Sequence, residues 1–170
     1  LSMTNLVSNS GVVASDTTGT STANQSMGAA TYGVDKAIFA FGYTSGNTNT
    51  RNLVNSSGVM SAAVSGAGSA RHDLAATGYG TPADGTAIMA YGYISGSTAV
   101  SNLVNNVGVV ASDTGGVGTA RQTLAAARYG ADKALFAFGT GAVNTRNLVS
   151  NSGVVAADAS GAGTARFYVG

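Results

Sequence analysis

Cysteine, tryptophan and glutamate are absent from this 170-residue chain, and proline and histidine occur once each, as Pro82 and His72. Without cysteine there is no disulfide, no thiolate metal site and no cysteine nucleophile, and thiols say nothing about compartment. A single histidine cannot build a copper or zinc site by repetition, and it offers no specific Ser–His–acid arrangement. Charge is scarce too: Asp, Lys and Arg together make up 9% of the residues, and the formal net charge is +1. The cations are scattered through the chain and do not form the basic stripe of a nucleic-acid binder. No apolar run approaches the length of a membrane span.

Glycine, in contrast, is plentiful at 25 residues, accompanied by many Ala, Ser, Thr and Asn. Low charge with few bulky side chains is compatible with disorder, but here the apolar residues return at fixed offsets, and disordered chains show no such periodicity. Asn-Leu-Val recurs at Asn5, Asn52, Asn102 and Asn147, spaced 47, 50 and 45 residues apart. A period of that size is the signature of a repeat architecture. Asn5 to Asn24, Asn52 to Arg71, Asn102 to Arg121 and Asn147 to Arg166 are all 19 residues, and a glycine (Gly33, Gly80, Gly130) follows 9 later. Length varies only between Gly33, Gly80 or Gly130 and the glycine of the next strand, and between that glycine and Asn-Leu-Val. Insertions are tolerated in surface loops, so these joints are turns.

Each repeat contains four short strand candidates bounded by Gly, Ser, Asn and Asp. The first follows the Arg position, as in Arg71-His-Asp-Leu-Ala-Ala-Thr-Gly-Tyr; the second is Lys36-Ala-Ile-Phe-Ala-Phe and its relatives. The third carries Asn-Leu-Val, and the fourth is Gly-Val-Val-Ala-Ser-Asp or, once, Gly58-Val-Met-Ser-Ala-Ala. On the second strand Phe39 and Phe41 point one way and Ile38 and Ala40 the other, so both faces are expected to be buried. The first strand is rich in alanine (Leu124-Ala-Ala-Ala), which predicts a crowded position. A compact sheet with a doubly buried middle and small residues on one strand describes a propeller blade.

The succession small-residue strand, Lys-Ala-Ile-Phe-Ala-Phe-Gly, variable loop, Asn-Leu-Val, Gly-Val-Val and then Arg resembles a kelch-type β-propeller repeat. It departs from that pattern in carrying one glycine (Gly42, Gly92, Gly139) where the family has a pair, and in lacking its tryptophan. The wording of the repeat is also similar to tandem arrays in virion and tail proteins of tailed bacteriophages, notably marine and cyanobacterial ones. The first resemblance implies an all-β propeller of about four kelch-like blades, with a β-solenoid or fibre-like stack as the alternative. The expected division is a partial repeat 1–22, repeats 23–69, 70–119 and 120–163, and a closing strand 164–170. Joined in a circle, the two ends make a fourth blade that lacks its second strand. The start on Leu1, in mid-repeat, is what a segment of a longer protein would show.

Several residue series are candidates for a site. Arg71, Arg121 and Arg166, with Asn24 in the first copy, would place guanidiniums around one axis, where they bind an anion or a sugar carboxylate bidentately. The structural alternative pairs each with a backbone carbonyl or with an Asp of the adjacent blade, such as Asp16, Asp113 or Asp158. Tyr32, Tyr79 and Tyr129 are placed to stack on sugar rings or else to cap packed apolar surface. Asp35, Asp84 and Asp132 stand alone beside Gly or Lys, which suits turns better than a calcium site. No acid–base pair recurs, so no enzyme, metal or cofactor is expected.

The second resemblance implies a non-enzymatic structural or adhesion module of a phage particle, displayed on capsid or tail at the virion surface, outside the cell. Its partners would be other virion proteins or copies of itself, with no nucleic acid and no membrane insertion. The alternative is a carbohydrate-binding propeller lectin that recognises host-surface glycans.

Overall fold

A computed structural model of the chain describes residues 2–19 and 21–169; Leu1, Thr20 and Gly170 lie outside the described residues. Those residues form thirteen β-strands and no helix. A short ribbon pairs β1 (Met3–Thr4) with β2 (Thr17–Thr18). The first sheet runs β3 (Gly28–Tyr32), β4 (Lys36–Ala40), β5 (Thr50–Val54) and β6 (Val64–Ser65). The second is β7 (Ala75–Tyr79), β8 (Thr86–Ala90) and β9 (Ser101–Val104), and its fourth position is a single bridge, Ser101 with Thr114. The third is β10 (Ala125–Tyr129), β11 (Lys133–Ala137), β12 (Thr145–Val149) and β13 (Ala159–Ser160). Every sheet is an antiparallel meander, and the register is identical in each: Phe39, Met89 and Phe136 stand opposite Asn52, Asn102 and Asn147.

The fold is therefore all-β, as expected, with two differences at the level of strands. The Gly-Val-Val segments are hairpin turns with one bridge each (Val7–Val13, Val54–Met60, Val104–Val110, Val149–Val155), and the fourth strand begins two or more residues later. In the first sheet the cause is local: the Asn55 side-chain oxygen accepts the Ser57 and Val59 amides, which winds Asn55–Val59 into a turn. The first strand also starts later than Arg71, at Ala75, because Asp73 holds φ at 53° and breaks the extended run. Ser26, Thr123 and Tyr168 adopt the same kink at 53–54°. The kinks form a file across the repeats: the Asp73 amide donates to the Ser26 carbonyl (3.0 Å), Thr123 to Asp73 (3.0 Å) and Tyr168 to Thr123 (3.2 Å).

From this file the sheets stack in chain order, β7 lying between β3 and β10. Crowding on β7 matches its small residues. A Cβ on Gly78 would come 3.1 Å from the Arg128 guanidinium, and one on Gly28 would come 3.2 Å from Ala76 and Leu74. Two apolar layers result. Ile38, Ala40 and Phe41 of the first sheet meet Ala87, Met89 and Val104 of the second, while Ile88, Ala90 and Tyr91 of the second meet Ala134, Phe136 and Val149 of the third. Alternate residues of β8 thus serve opposite layers, and burial of each large side chain contributes roughly 1.5–3 kcal/mol.

Among the described residues no strand pairing joins the first and last sheets. Leu148 on the far face of the third sheet is 39% exposed, and Leu6 at the other end is 51% exposed. Between the N-terminal ribbon and β4–β5 lies a cavity of about 490 Å³ whose lining includes Leu6, Met27, Phe39, Val54 and Met60. The expected closing strand 164–170 is not a strand in its described part: residues 164–169 make one bridge, Val143 with Arg166. In the other copies the first strand begins four residues after the Arg or Asn position, a place that Gly170 holds here, outside the described residues. Among the described residues no helix is long and apolar enough to cross a membrane.

Candidate functional site

The groups that carry most of the polar chemistry converge where one repeat passes into the next. The second strand of each sheet is followed at once by an aromatic residue with positive φ: Phe41 (62°), Tyr91 (64°) and Phe138 (66°). A bulky side chain in that region is strained and has to be held by its surroundings. A glycine follows at φ 109°, 107° and 123°, which only glycine adopts readily. Its amide donates to the backbone carbonyl of the next arginine: Gly42 to Arg71 (2.8 Å), Gly92 to Arg121 (3.0 Å) and Gly139 to Arg166 (3.1 Å). The same arginine lays its guanidinium over the aromatic ring just passed, Arg71 over Phe41 at 4.0 Å, Arg121 over Tyr91 at 4.3 Å and Arg166 over Phe138 at 4.4 Å. Cation–π contact of a desolvated guanidinium contributes about 2 kcal/mol.

Arg71 and Arg121 also reach forward into their own sheets. Arg71 Nε donates to the Tyr91 carbonyl (2.9 Å) and Nη2 to that of Met89 (3.2 Å). Arg121 Nε donates to the Phe138 carbonyl (2.8 Å) and Nη2 to Asn147 Oδ1 (2.5 Å). In the first copy Asn24 Nδ2 donates to the equivalent carbonyl, that of Phe41, at 2.7 Å. Asp113 and Asp158 stand 3.9 Å from Nη1 of Arg71 and Arg121. Both carboxylates lie in the arginine's own repeat, not in the adjacent one that the sequence suggested. Asp113 accepts the Ser69 amide (2.9 Å), the Ser69 hydroxyl (2.6 Å) and Asn102 Nδ2 (2.9 Å). Asp158 accepts the same set from Thr119 and Asn147.

These contacts set the electrostatics. Burial pulls the Arg71 guanidinium down to about 10, against the Asp113 carboxylate, so it remains charged at neutral pH. Burial pushes the Asp113 carboxyl up, but the Ser69 hydroxyl, Asn102, the Ser69 amide and Arg71 outweigh it and leave the group below its ordinary value. The Thr119 hydroxyl likewise lowers Asp158, against burial and helped by Asn147.

Arg71 and Arg121 are 0% and 2% exposed, so their guanidiniums face protein groups on every side, whereas Arg166 is exposed. Tyr32 and Tyr79 are buried at 4% and 7%, each under a glycine of the following repeat. A Cβ on Gly108 would lie 3.0 Å from Tyr32 and 2.8 Å from Leu53, and one on Gly153 would lie 2.9 Å from Tyr79 and 2.8 Å from Leu103. Tyr129 is half-buried on the open face of the third sheet. Asp84 accepts the Thr81 amide and hydroxyl (2.6 and 2.8 Å), and Asp35 and Asp132 pair with the lysine that follows each. Among the described residues no group of three or more His, Cys, Asp or Glu could hold a metal ion.

Two features have no counterpart in the sequence-based candidates. Arg128 sits in the room left by Gly78 and donates to the Gly80 carbonyl across the second layer. His72 packs between Tyr43 and Tyr93, with ring centroids 5.3 and 5.2 Å away, and its Nδ1 is 2.7 Å from Asn47 Oδ1. The signals for the joint were a Gly-(Ser/Thr)-Ala-Arg run (Gly68, Gly118, Gly163) and an Asn–Asp spacing of 11 residues. No protein-family model and no curated protein matches the chain.

Proposed function

We propose that the chain is a non-enzymatic structural or adhesion module, an array of kelch-like propeller blades displayed on the capsid or tail of a tailed-phage particle. The observation that carries this reading is the use made of the charged groups. Buried Arg71 and Arg121, together with Asp113 and Asp158, are engaged in holding repeat to repeat, and the loops around them are Ser, Thr, Asn and Gly. Such an arrangement suits a durable, nearly uncharged surface, and it aims no paired acid and base at a cleft. The fan of sheets from a common file of kinks, with burial of β8 on both faces, supports blades over a linear solenoid. The wording of the repeat supports the particle. Immunogold labelling of tailed-phage particles that encode this repeat tests it: label on capsid or tail is expected, and label confined to the lysate would overturn it.

A lectin is the second reading, favoured by the half-exposed Tyr43–His72–Tyr93 cluster, which presents aromatic faces at the surface. Binding on a glycan array that is lost in Tyr93→Ala would establish it; a blank array would leave the scaffold role alone.

A further inference from the structure

We infer that this chain associates head to tail with a second copy of itself, Thr164 and Arg166 of one copy docking on Asn5 and Asp16 of the next. The template is the joint already built twice inside the chain. Arginine and aspartate go together at that joint: the second repeat has Arg71 with Asp113 and the third has Arg121 with Asp158. The first repeat has lost both, with Asn24 at the arginine position and Ala63 at the aspartate position. Two members remain, Asp16 near one end of the stack and Arg166 near the other, and among the described residues no ion pair includes either.

Each half is preassembled. Asn5 Nδ2 already donates to the Ala14 carbonyl (3.1 Å) and to Asp16 Oδ1 (2.7 Å), as Asn102 does to Ala111 and Asp113 (both 2.9 Å). Arg166 already lies over Phe138 and its carbonyl accepts the Gly139 amide. The difference lies in what covers them. Asn102 and Asn147 are 0% exposed, whereas Asn5, Asp16, Thr164 and Arg166 are all exposed. Steric features at the two ends match as well. Leu148 has the place of Leu53 and Leu103, which press on Gly108 and Gly153, and Gly11 is the one equivalent glycine with nothing within 4 Å. The two halves sit at opposite ends of the stack, and a second copy of this chain carries the partner that each of them lacks. A contact between two different patches is heterologous; it propagates from copy to copy and closes into a ring or extends as a filament. The inference does not depend on the particle assignment and can fail without touching it.

Sedimentation velocity of the 170-residue chain from micromolar to millimolar concentration tests the proposal. Species larger than the monomer are expected to grow with concentration. Asp16→Arg alone and Arg166→Asp alone should each remain monomeric at least tenfold higher in concentration. An equimolar mixture of the two should associate again, because each charge then meets its opposite. Circular dichroism checks that the variants fold, and the milder Asp16→Asn and Arg166→Gln pair replaces them if they do not. A wild-type monomer at every concentration, the result of Asp16 meeting Arg166 within one chain, overturns the inference. Association that ignores both substitutions overturns it equally.

Discussion

The guanidinium of Arg121 lies 4.3 Å above the ring of Tyr91, a residue of the preceding sheet, while its Nε donates 2.8 Å to the Phe138 carbonyl of its own. One side chain thus fastens two sheets. Arg71 does the same with Phe41 behind and Tyr91 ahead, so Tyr91 is engaged by its carbonyl on one side and its ring on the other. Breaking a buried pair strands charge and carbonyls without partners, which costs more than the pair contributes on balance.

Arg121→Ala is therefore expected to lower the unfolding free energy by about 3 kcal/mol in urea titrations. Lys36→Ala removes an exposed pair with Asp35 and should change it by no more than about 0.5 kcal/mol.

Ile88 and Met89 are adjacent, both 0% exposed, and serve opposite apolar layers. Truncation of either to alanine should cost about 2–5 kcal/mol by the same titration. A sheet with one wet face would leave one of the two substitutions nearly silent.

Glycines separate backbone strain from packing. Gly11 and Gly108 share φ at 79°, but only Gly108 is pressed by Leu53 and Tyr32. Gly11→Ala should cost about 1 kcal/mol through conformation alone. Gly108→Ala should cost at least about 1 kcal/mol more, read as a further drop in the urea midpoint.

How much of this was legible beforehand follows from which residues carry it. Asn-Leu-Val marks β5, β9 and β12 because Asn52, Asn102 and Asn147 occupy one register position opposite the second strand. Ile38 beside Phe39 announced a strand buried on both faces, which holds for β8, where Ile88 and Met89 are both buried; in β4 Phe39 is half-buried on the cavity, and Phe41, expected on its face, turns at φ 62° to pack with Ile38 and Ala40. The fourth strand was misplaced because Val59 and Val109 look like core but are exposed at the tips of turns. The late start of β7 was hidden too, since nothing in Arg71-His-Asp-Leu distinguishes an Asp at positive φ from one in a strand. At the joint, the arginine series was visible as a series. Its direction was not: stacking of Arg71 on Phe41 pairs residues 30 positions apart whose approach depends on how successive sheets fan. Arg128 escaped notice because its guanidinium fits only in the room left by the missing Cβ of Gly78, a residue 50 positions away.

Acid should loosen the same joint. Asp113 and Asp158 bind their protons more weakly folded than unfolded. Their contribution is complete above the ordinary carboxylate range of about 4 and is lost as pH falls through the lower folded values. Stability measured against pH should therefore decline below about pH 4, and Asp113→Asn with Asp158→Asn should flatten that decline.

Amide hydrogen exchange tests most directly whether the repeats are locked to one another along the file of kinks and the arginine joint. The amides of Asp73, Thr123 and Gly92 donate to the neighbouring repeat, whereas Gly96 sits in a turn with open space where a Cβ would stand. The three are expected to exchange at least about a hundredfold more slowly than Gly96, at rates close to those of the β8 core amides. Exchange of Asp73, Thr123 and Gly92 at the Gly96 rate, with β8 still protected, would mean independent sheets on a string and would contradict the account.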